Sequence, residues 1–239
     1  MARRYFVDEL PPAGEAVLGG EVAHHLANVL RVQPGDALVL ADGNGAQCRA
    51  VVERCGAGKV ALQVAGSECV PRPGAQLHVA FAPPRWTRAD WLFEHGTEVG
   101  IDAFWPLWTE RSRPQGGRAD RWQKIVRAAA GQCDRAWLPE VRDVTELGAL
   151  LQHAALPAQR FLADGDGPPA PVALAGDAVL LVGPEGGFTA AERAAIAAAG
   201  FSPIGLGPFV LRTETAALVG ASALRLAGLR AALARPAER

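Results

Sequence analysis

Two segments in the last third of the chain share one pattern, in which a short apolar run of strand length leads through a loop of small residues into a helix. The first run is Ala178 to Val182, followed by the loop Gly183 to Phe188. The second run is Ser202 to Leu206, and its loop opens with Gly207-Pro208. Because such alternation is typical of sheets with parallel strands, the pattern predicts an α/β fold.

The middle of the chain continues the same alternation. Leu77 to Ala82 and Ala103 to Leu107 are apolar runs of strand length, and the segment Ala89 to Val99 between them is predicted to be helical. A further helix is predicted from Arg121 to Trp137, because its apolar residues share one helical face. Arg and Lys are denser in and just before this helix than anywhere else in the chain.

The first 70 residues show a different organisation. Short runs such as Ala37 to Ala41 and Gln47 to Val52 are separated by turn-forming pairs such as Asp42-Gly43. One interruption, Glu21 to Arg31, has apolar residues at helical spacing. The segment therefore predicts a small β-barrel that carries one short helix, and the prolines and glycine of residues 71–74 end it.

Composition limits the classes of function. The formal net charge is −1 over 239 residues, so nucleic-acid binding has to come from locally clustered Arg. The four cysteines include no Cys-x-x-Cys pair, which predicts neither a metal site nor a dense disulfide framework. Since no run of 18 apolar residues occurs, we expect no membrane association and a cytoplasmic protein.

The loop Gly183 to Phe188 allows two interpretations. Thr189 and Glu192 form a capping box that starts the next helix. Small residues let backbone amides approach a ligand, but the loop has neither the Lys-Ser/Thr ending of a P-loop nor a Gly-x-Gly-x-x-Gly motif. A structural alternative is that the glycines only permit a tight turn from strand to helix. This loop alone does not decide between a binding site and a turn.

The loop after Leu206 favours a binding site. It brings Arg212, Thr213, Glu214 and Thr215 together beside the end of a strand. A tight turn does not need so many polar side chains. The sequence therefore indicates that the two loops form a functional site.

These residues also carry a specific resemblance. Leu181 to Phe188 and Leu206 to Ala216 resemble the two signature stretches of the methyltransferases that modify N3 of a uridine in 16S ribosomal RNA. Shorter stretches elsewhere resemble the same family, so the similarity covers nearly the whole chain. They are Arg4, His25-Leu26, Val29 to Arg31, Asp42-Gly43, Glu98 to Gly100, Glu110 to Ser112 and Gln132-Cys133.

The resemblance implies a fold and a cofactor. Residues 1–71 are expected to form a PUA-like, RNA-binding β-barrel, and residues 72–239 a SPOUT-type α/β domain with a trefoil-knotted parallel sheet. The cofactor would be S-adenosyl-L-methionine, bound by the loops of the knot without a metal ion. The implied cofactor-binding residues are Leu162, Ala163, Val182, Gly183, Pro184, Glu185, Gly186, Gly187, Leu206, Gly207, Leu211, Arg212 and Thr215.

The family further implies a reaction and partners. The expected substrate is uridine 1498 of 16S rRNA in the assembled 30S subunit, and the expected assembly is a homodimer. As a hypothesis, Arg212 stabilises negative charge on the uracil carbonyls, while Glu214 accepts the N3 proton or holds Arg212 in place. The alternative for Glu214 is a charge that favours the dipole of the helix predicted for Ala216 to Leu233. Candidate RNA-binding residues are Arg3, Arg4, Arg31, Arg85 and Arg88.

Two other functions remain open. A related knotted enzyme could methylate ribose 2′-hydroxyls, although such enzymes typically carry an Asn-Ser type of pattern in place of Leu211 to Thr215. A dimeric RNA-binding protein without catalysis is the other alternative, and it predicts degenerate cofactor loops. The sequence departs from the family at His95, where Lys is common, and at Gly131, where an acidic residue is common. Both departures weaken any catalytic role for the middle segment.

Overall fold

The structure, a computed structural model, describes residues 3–84, 86–112, 118–171 and 173–234. The chain forms two compact units. The first spans Met1–Arg72 together with Ala130–Leu138, and the second spans Pro73–Ala129 together with Pro139–Arg239. The helices in these described ranges fall short of the combined length and apolarity that crossing a bilayer requires.

The first unit is built on a five-stranded sheet. Its elements are β1 (Arg3–Phe6), β2 (Gly14–Leu18), α1 (Gly20–His24), a π-helical turn (His25–Val29), β3 (Ala37–Ala41), β4 (Ala46–Gly56) and β5 (Lys59–Cys69). The strand order is β1-β3-β4-β5-β2, with β1 and β3 parallel and the other neighbours antiparallel. Alternate residues of β4 and β5 point into one apolar core, and Leu26 of the π-helical turn is buried in the same core.

The helix of this unit differs from the single helix predicted for Glu21 to Arg31. After α1 the backbone N–H of Leu30 donates to the carbonyl of His25, five residues back, at 3.0 Å. This spacing widens the last turn into a π-helix. Arg31 then leaves the helix with a φ of 53°, a left-handed conformation that few residues other than glycine adopt.

The second unit contains a seven-stranded sheet in which every strand pairing is parallel. The strand order is β12-β10-β11-β6-β7-β8, and β9 pairs with β7. This arrangement confirms the α/β prediction. The elements are β6 (Leu77–Phe81), α2 (Trp86–Val99), β7 (Ala103–Trp108), α3 (Ala119–Gln132), β8 (Glu140–Val141), β9 (Thr145–Glu146), α4 (Leu147–Leu151), β10 (Gln159–Ala163), β11 (Ala178–Val182), α5 (Ala190–Ala198), β12 (Ser202–Ile204) and α6 (Thr213–Ala234).

Both faces of this sheet are buried at its centre, which explains why β7 and β11 are continuously apolar. In β11, Leu180 points into a core that contains residues of α2, α3 and α6. The next residue, Leu181, points into a second core with residues of α4 and α5. Each fully buried side chain of this size contributes about 1.5–3 kcal/mol relative to an exposed one.

Two helices have bounds that differ from the predicted ones. The helix predicted to reach Trp137 ends as α3 at Gln132, because Asp134 takes a left-handed φ of 62° and the N–H of Arg135 donates to the Ala130 carbonyl at 2.9 Å. The last helix begins at Thr213, three residues earlier than predicted. Thr213 and Glu214 therefore belong to the first turn of α6 and not to the loop before it.

An ion pair anchors the middle of helix α6 near the start of β6. The Arg225 guanidinium contacts the Asp102 carboxylate at 2.6 Å and donates to the Ala75 carbonyl at 2.7 Å. The same carboxylate accepts the backbone N–H of Leu77, at the start of β6, at 2.9 Å. The ion pair therefore fixes α6 to β6, and with it the position of the first turn of α6.

We predict that two glycines of α6 differ in their tolerance of a side chain. A Cβ atom on Gly220 would lie 2.5 Å from the side chain of Leu180, which is fully buried, whereas a Cβ on Gly228 would meet no atom within 4 Å. Gly220→Val should lower the free energy of unfolding by about 2 kcal/mol or more through overpacking. Gly228→Val should change it by less than about 0.5 kcal/mol. Chemical denaturation checks both, and equal effects would contradict the close packing of α6 on β11.

Candidate functional site

Three loops meet where three neighbouring strands of the second unit end. In the sheet β10 lies between β12 and β11, with Ala163 opposite Ile204 and Leu162 opposite Leu181. Because parallel strands present their carboxyl ends at one edge, the loops that follow them converge there. We name the segments 164–169, 183–189 and 205–212 the first, second and third loops.

The first and third loops are joined through their backbones. The N–H of Asp164 donates to the Ile204 carbonyl at 2.9 Å, and the N–H of Gly205 donates to the Pro168 carbonyl at 2.7 Å. A Cβ atom on Gly205 would lie 2.5 Å from the carbonyl oxygen of Gly167, so only glycine permits this approach.

An ion pair holds the first loop to helix α5. The Arg193 guanidinium lies 2.5 Å from the Asp164 carboxylate. This hydrogen bond keeps the pKa of Asp164 below its ordinary value, so the carboxylate is charged near neutral pH. The first loop is thus held on one side by the third loop and on the other by α5.

The second loop turns sharply into α5 and contacts the start of α6. Gly187 has a φ of 67°, and its N–H donates to the Pro184 carbonyl at 2.8 Å. The capping box predicted for Thr189 and Glu192 is present. The hydroxyl of Thr213 donates to the Gly183 carbonyl at 2.9 Å, which ties the second loop to the first turn of α6.

One arginine bridges the second loop and α6. Arg88, in the first turns of α2, lies 2.9 Å from the Glu185 carboxylate and 3.6 Å from that of Glu214. Glu214 is only 6% exposed, and its Oε2 is buried without a hydrogen-bond partner among the described residues. A buried carboxylate oxygen of this kind is unusual in proteins and indicates a position for a ligand or a reacting proton.

A polar cleft of about 510 Å³ lies beside these contacts. Arg111 contributes a guanidinium that donates to the Gly186 carbonyl at 2.7 Å. Sequence reasoning missed Arg111 and Ser112 as site residues, although they follow the end of β7 and were noted for their family resemblance. The lining residues are Ala82, Pro83, Pro84, Arg88, Arg111, Ser112, Pro184, Glu185, Gly186 and Thr213.

The predicted cofactor residues all lie at this edge of the sheet. Leu162 and Val182 are buried among the last residues of β10 and β11. Leu206 and Leu211 are half-buried against the core shared by α2 and α6. The remaining predicted positions are Ala163 at the end of β10, Gly183 to Gly187 in the second loop, Gly207 and Arg212 in the third loop and Thr215 in α6.

The predicted catalytic residues have different environments. Arg212 is exposed at the end of the third loop, two residues before buried Glu214. Phe209 and Val210 precede it and are 81% and 103% exposed. Exposed apolar side chains of this size commonly mark a surface that binds a partner or ligand.

The predicted RNA-binding residues are divided between the two units and differ in exposure. In the first unit Arg3 and Arg31 are exposed, whereas the side chain of Arg4 is 7% exposed and pairs with Asp134 at 3.0 Å. That burial favours a structural role for Arg4 over contact with phosphate. Arg88 belongs to the second unit and is engaged by two carboxylates, as described above. The prediction for Arg85 lies outside the described residues.

Comparisons with known proteins identify the family. Residues 71–225 match the profile of an RNA methyltransferase domain, and residues 18–64 match that of an RNA methyltransferase PUA domain. The chain is 37% identical to ribosomal RNA small subunit methyltransferase E of Mycobacterium bovis, over 94% of this chain and 91% of that protein. This chain belongs to the family of ribosomal RNA small subunit methyltransferase E. The family predicted from the sequence is thereby confirmed.

Solved structures agree with this assignment. A ribosomal RNA small subunit methyltransferase E from Neisseria gonorrhoeae, bound to S-adenosyl methionine, superposes with a TM-score of 0.82 at 26% identity, covering 93% of this chain and 96% of that one. A Legionella pneumophila protein described as a methyltransferase, in complex with the same cofactor, gives a TM-score of 0.83 at 30% identity and the same coverage. The predicted SPOUT-type α/β fold with a PUA-like N-terminal domain is confirmed.

We predict that the hydroxyl of Thr213 stabilises the site. Thr213→Val keeps the shape of the side chain but removes its bond to the Gly183 carbonyl, and should lower the free energy of unfolding by about 1 kcal/mol. Thr215→Val, two residues further along α6, is the control and should cost less. Urea denaturation measures both. Equal losses for the two variants would contradict the proposed tie between the second loop and α6.

Proposed function

We propose that this RNA methyltransferase transfers a methyl group from S-adenosyl-L-methionine to N3 of uridine 1498 in the 16S rRNA of the 30S subunit. The observation that carries the proposal is the buried, incompletely bonded carboxylate of Glu214, fixed beside the second loop by Thr213 and Arg88. Relatives named ribosomal RNA small subunit methyltransferase E support the substrate. Cofactor-bound relatives support the methyl donor.

The three loops suit an adenosyl group. Leu206 and Leu211 offer an apolar wall, and the close approach of the first and third loops leaves main-chain amides and carbonyls to bond the edge of an adenine. The second loop has small residues, with a left-handed turn at Gly187 that aligns its backbone toward the same edge of the sheet. The cofactor, when bound, supplies a methyl group carried on a positively charged sulfur. In our proposal Arg212 and Thr215 complete this binding site.

Methylation of a uridine N3 requires that the imide proton leave and that the negative charge on the ring be stabilised. Arg212 is exposed and charged, which fits contact with the uracil carbonyl oxygens. The free Oε2 of Glu214 fits a proton acceptor, while its other oxygen is held by Arg88. The competing roles for Glu214, orienting Arg212 or favouring the dipole of α6, make different predictions for the variants below.

The polar cleft beside the second loop fits the target nucleotide. Arg88 and Arg111 provide cations that suit a phosphate or a carbonyl oxygen, and Ser112 provides a hydroxyl. Thr213 lies in the same lining, next to the proposed proton acceptor. The uridine would enter from this side, opposite the apolar wall of Leu206 and Leu211.

The rest of the proposal follows the family resemblance. Residues 1–71 would bind RNA, with Arg3 and Arg31 as exposed cations, and residues 72–239 would carry out the reaction. The trefoil knot at the three loops and a cytoplasmic location belong to the same proposal. The methyl transfer that we describe needs no metal ion, because the leaving group is a neutral thioether.

A methyl-transfer assay with purified protein tests the reaction. With unmethylated 30S subunits, wild type should form 3-methyluridine, and Arg212→Ala should lower kcat by about 10²–10³-fold because one charge-stabilising donor is lost. Glu214→Gln should lower kcat by about 10²–10⁴-fold, and its rate should rise with pH because solvent must remove the proton. Glu94→Gln, an exposed position in α2, is the control.

The products separate the alternatives. A 2′-O-methylated nucleoside in place of 3-methyluridine would replace the proposed reaction with ribose methylation, and no transfer by wild type would favour a non-catalytic RNA-binding protein. Full activity of Glu214→Gln would mean that Glu214 only favours the dipole of α6 and takes no part in the reaction. Loss of activity without the altered pH dependence would favour a role in orienting Arg212.

We also propose a homodimer formed through α6. Val219, Leu226 and Leu229 form an exposed apolar stripe on this helix, with 39%, 55% and 54% of each residue accessible. Leu226→Glu should convert a dimer to a monomer in sedimentation velocity, because a charge would be buried in an apolar contact. Val51→Glu, at an exposed site of β4, should not. A wild-type monomer at micromolar concentration would contradict the proposal.

A further inference from the structure

Helix α3 has one apolar face and one strongly basic face. Trp122, Val126 and Ala129 are buried, with at most 5% of each residue accessible. The opposite side carries cations at intervals of three residues, all of them exposed. These cations, which we name the α3 basic face, are Arg121, Lys124 and Arg127 of α3 together with Arg118, which directly precedes the helix.

The clustering of like charges has an energetic cost. Neighbouring cations at this helical spacing destabilise a helix by about 0.2–0.5 kcal/mol per pair. Asp120 is the one acidic residue within α3, and Asp90 of α2 contacts Arg121 at 2.7 Å. Arg118 and Arg127 also take part in interactions within the protein. In a chain of formal net charge −1, this local excess of positive charge fits an anionic partner.

Helix α2 connects the cleft with α3. It contributes Arg88 to the cleft lining, and its Asp90 forms the ion pair with Arg121. The cleft and the α3 basic face both belong to the second unit, which also holds the site proposed for the target nucleotide.

From this exposed positive charge we propose that the α3 basic face binds the phosphate backbone of the RNA substrate, an inference that rests on the proposed function. Arg118 to Arg127 spans about 14 Å along a helix. This is roughly the length over which a stacked strand presents four phosphates. The face has no large exposed apolar side chain among the described residues of α3, so it lacks the anchor that a protein or membrane partner would need.

Salt-dependent binding tests the proposal. The probe is in vitro transcribed 16S rRNA, and the affinity of full-length protein is measured at several salt concentrations. The variant Lys124→Gln with Arg127→Gln should bind more weakly, and the slope of log affinity against log salt should fall by about 1.4. The control Arg230→Gln removes an exposed cation of α6, outside both the α3 basic face and the cleft lining, and should keep the wild-type slope.

Two further measurements make every outcome decisive. Lys124→Arg with Arg127→Lys preserves both charges and should keep the wild-type slope. A smaller slope for this variant would overturn a role in binding phosphate. Thermal denaturation and calorimetric binding of S-adenosyl-L-methionine, both unchanged in the glutamine variant, exclude an effect on folding. Equal slopes for the glutamine variant and wild type would also overturn the proposal. Failure of the proposed reaction would appear separately, as the absence of 3-methyluridine in the wild-type assay.

Discussion

The parallel pairing of β12, β10 and β11 is the constraint on which the site depends. It requires that three successive strands end at one edge of the sheet, so that segments distant in sequence become neighbours. The pairing of Ala163 with Ile204 also brings two backbones close enough that Gly205 allows no side chain. This geometry suits the cofactor site that we propose, because loops of small residues expose their amides and carbonyls.

The chemistry of the site depends on the start of α6 being fixed in the same place. Thr213 bonds the second loop, Arg88 contacts both the second loop and Glu214, and Arg225 anchors the middle of the helix to Asp102. Together these contacts hold the carboxylate of Glu214 in a buried position, with one oxygen that has no hydrogen-bond partner among the described residues. Burial of a charge is costly unless it is paired, so the ion pair with Arg88 stabilises Glu214, and the other oxygen is the one that we propose accepts the proton.

Much of the fold followed from the sequence, because apolar runs of period two and of helical spacing are local signals. The strand Ala178–Val182 and the capping box at Thr189 appeared as predicted. Helix ends were harder, because they depend on backbone geometry: the left-handed turn at Asp134 ended α3 early. The first turn of α6 was missed because the polar residues there resemble a loop.

The site was only partly predictable for a related reason. The residues of the second and third loops were identified from their motifs, since they are contiguous in sequence. The bridge by Arg88 and the lining by Arg111 were not, because both come from elements that approach the loops only when the sheet is assembled. Burial likewise separated Arg4, with its partner Asp134, from the exposed arginines. No local sequence pattern distinguishes the buried Arg4 from the exposed arginines.

The most direct test of the account is to map methylated nucleosides in 16S rRNA by mass spectrometry, using a strain that lacks this protein. The account predicts that one 3-methyluridine disappears, that wild-type protein restores it, and that Arg212→Ala does not. An unchanged 3-methyluridine signal in the deletion strain would contradict the assignment of the reaction.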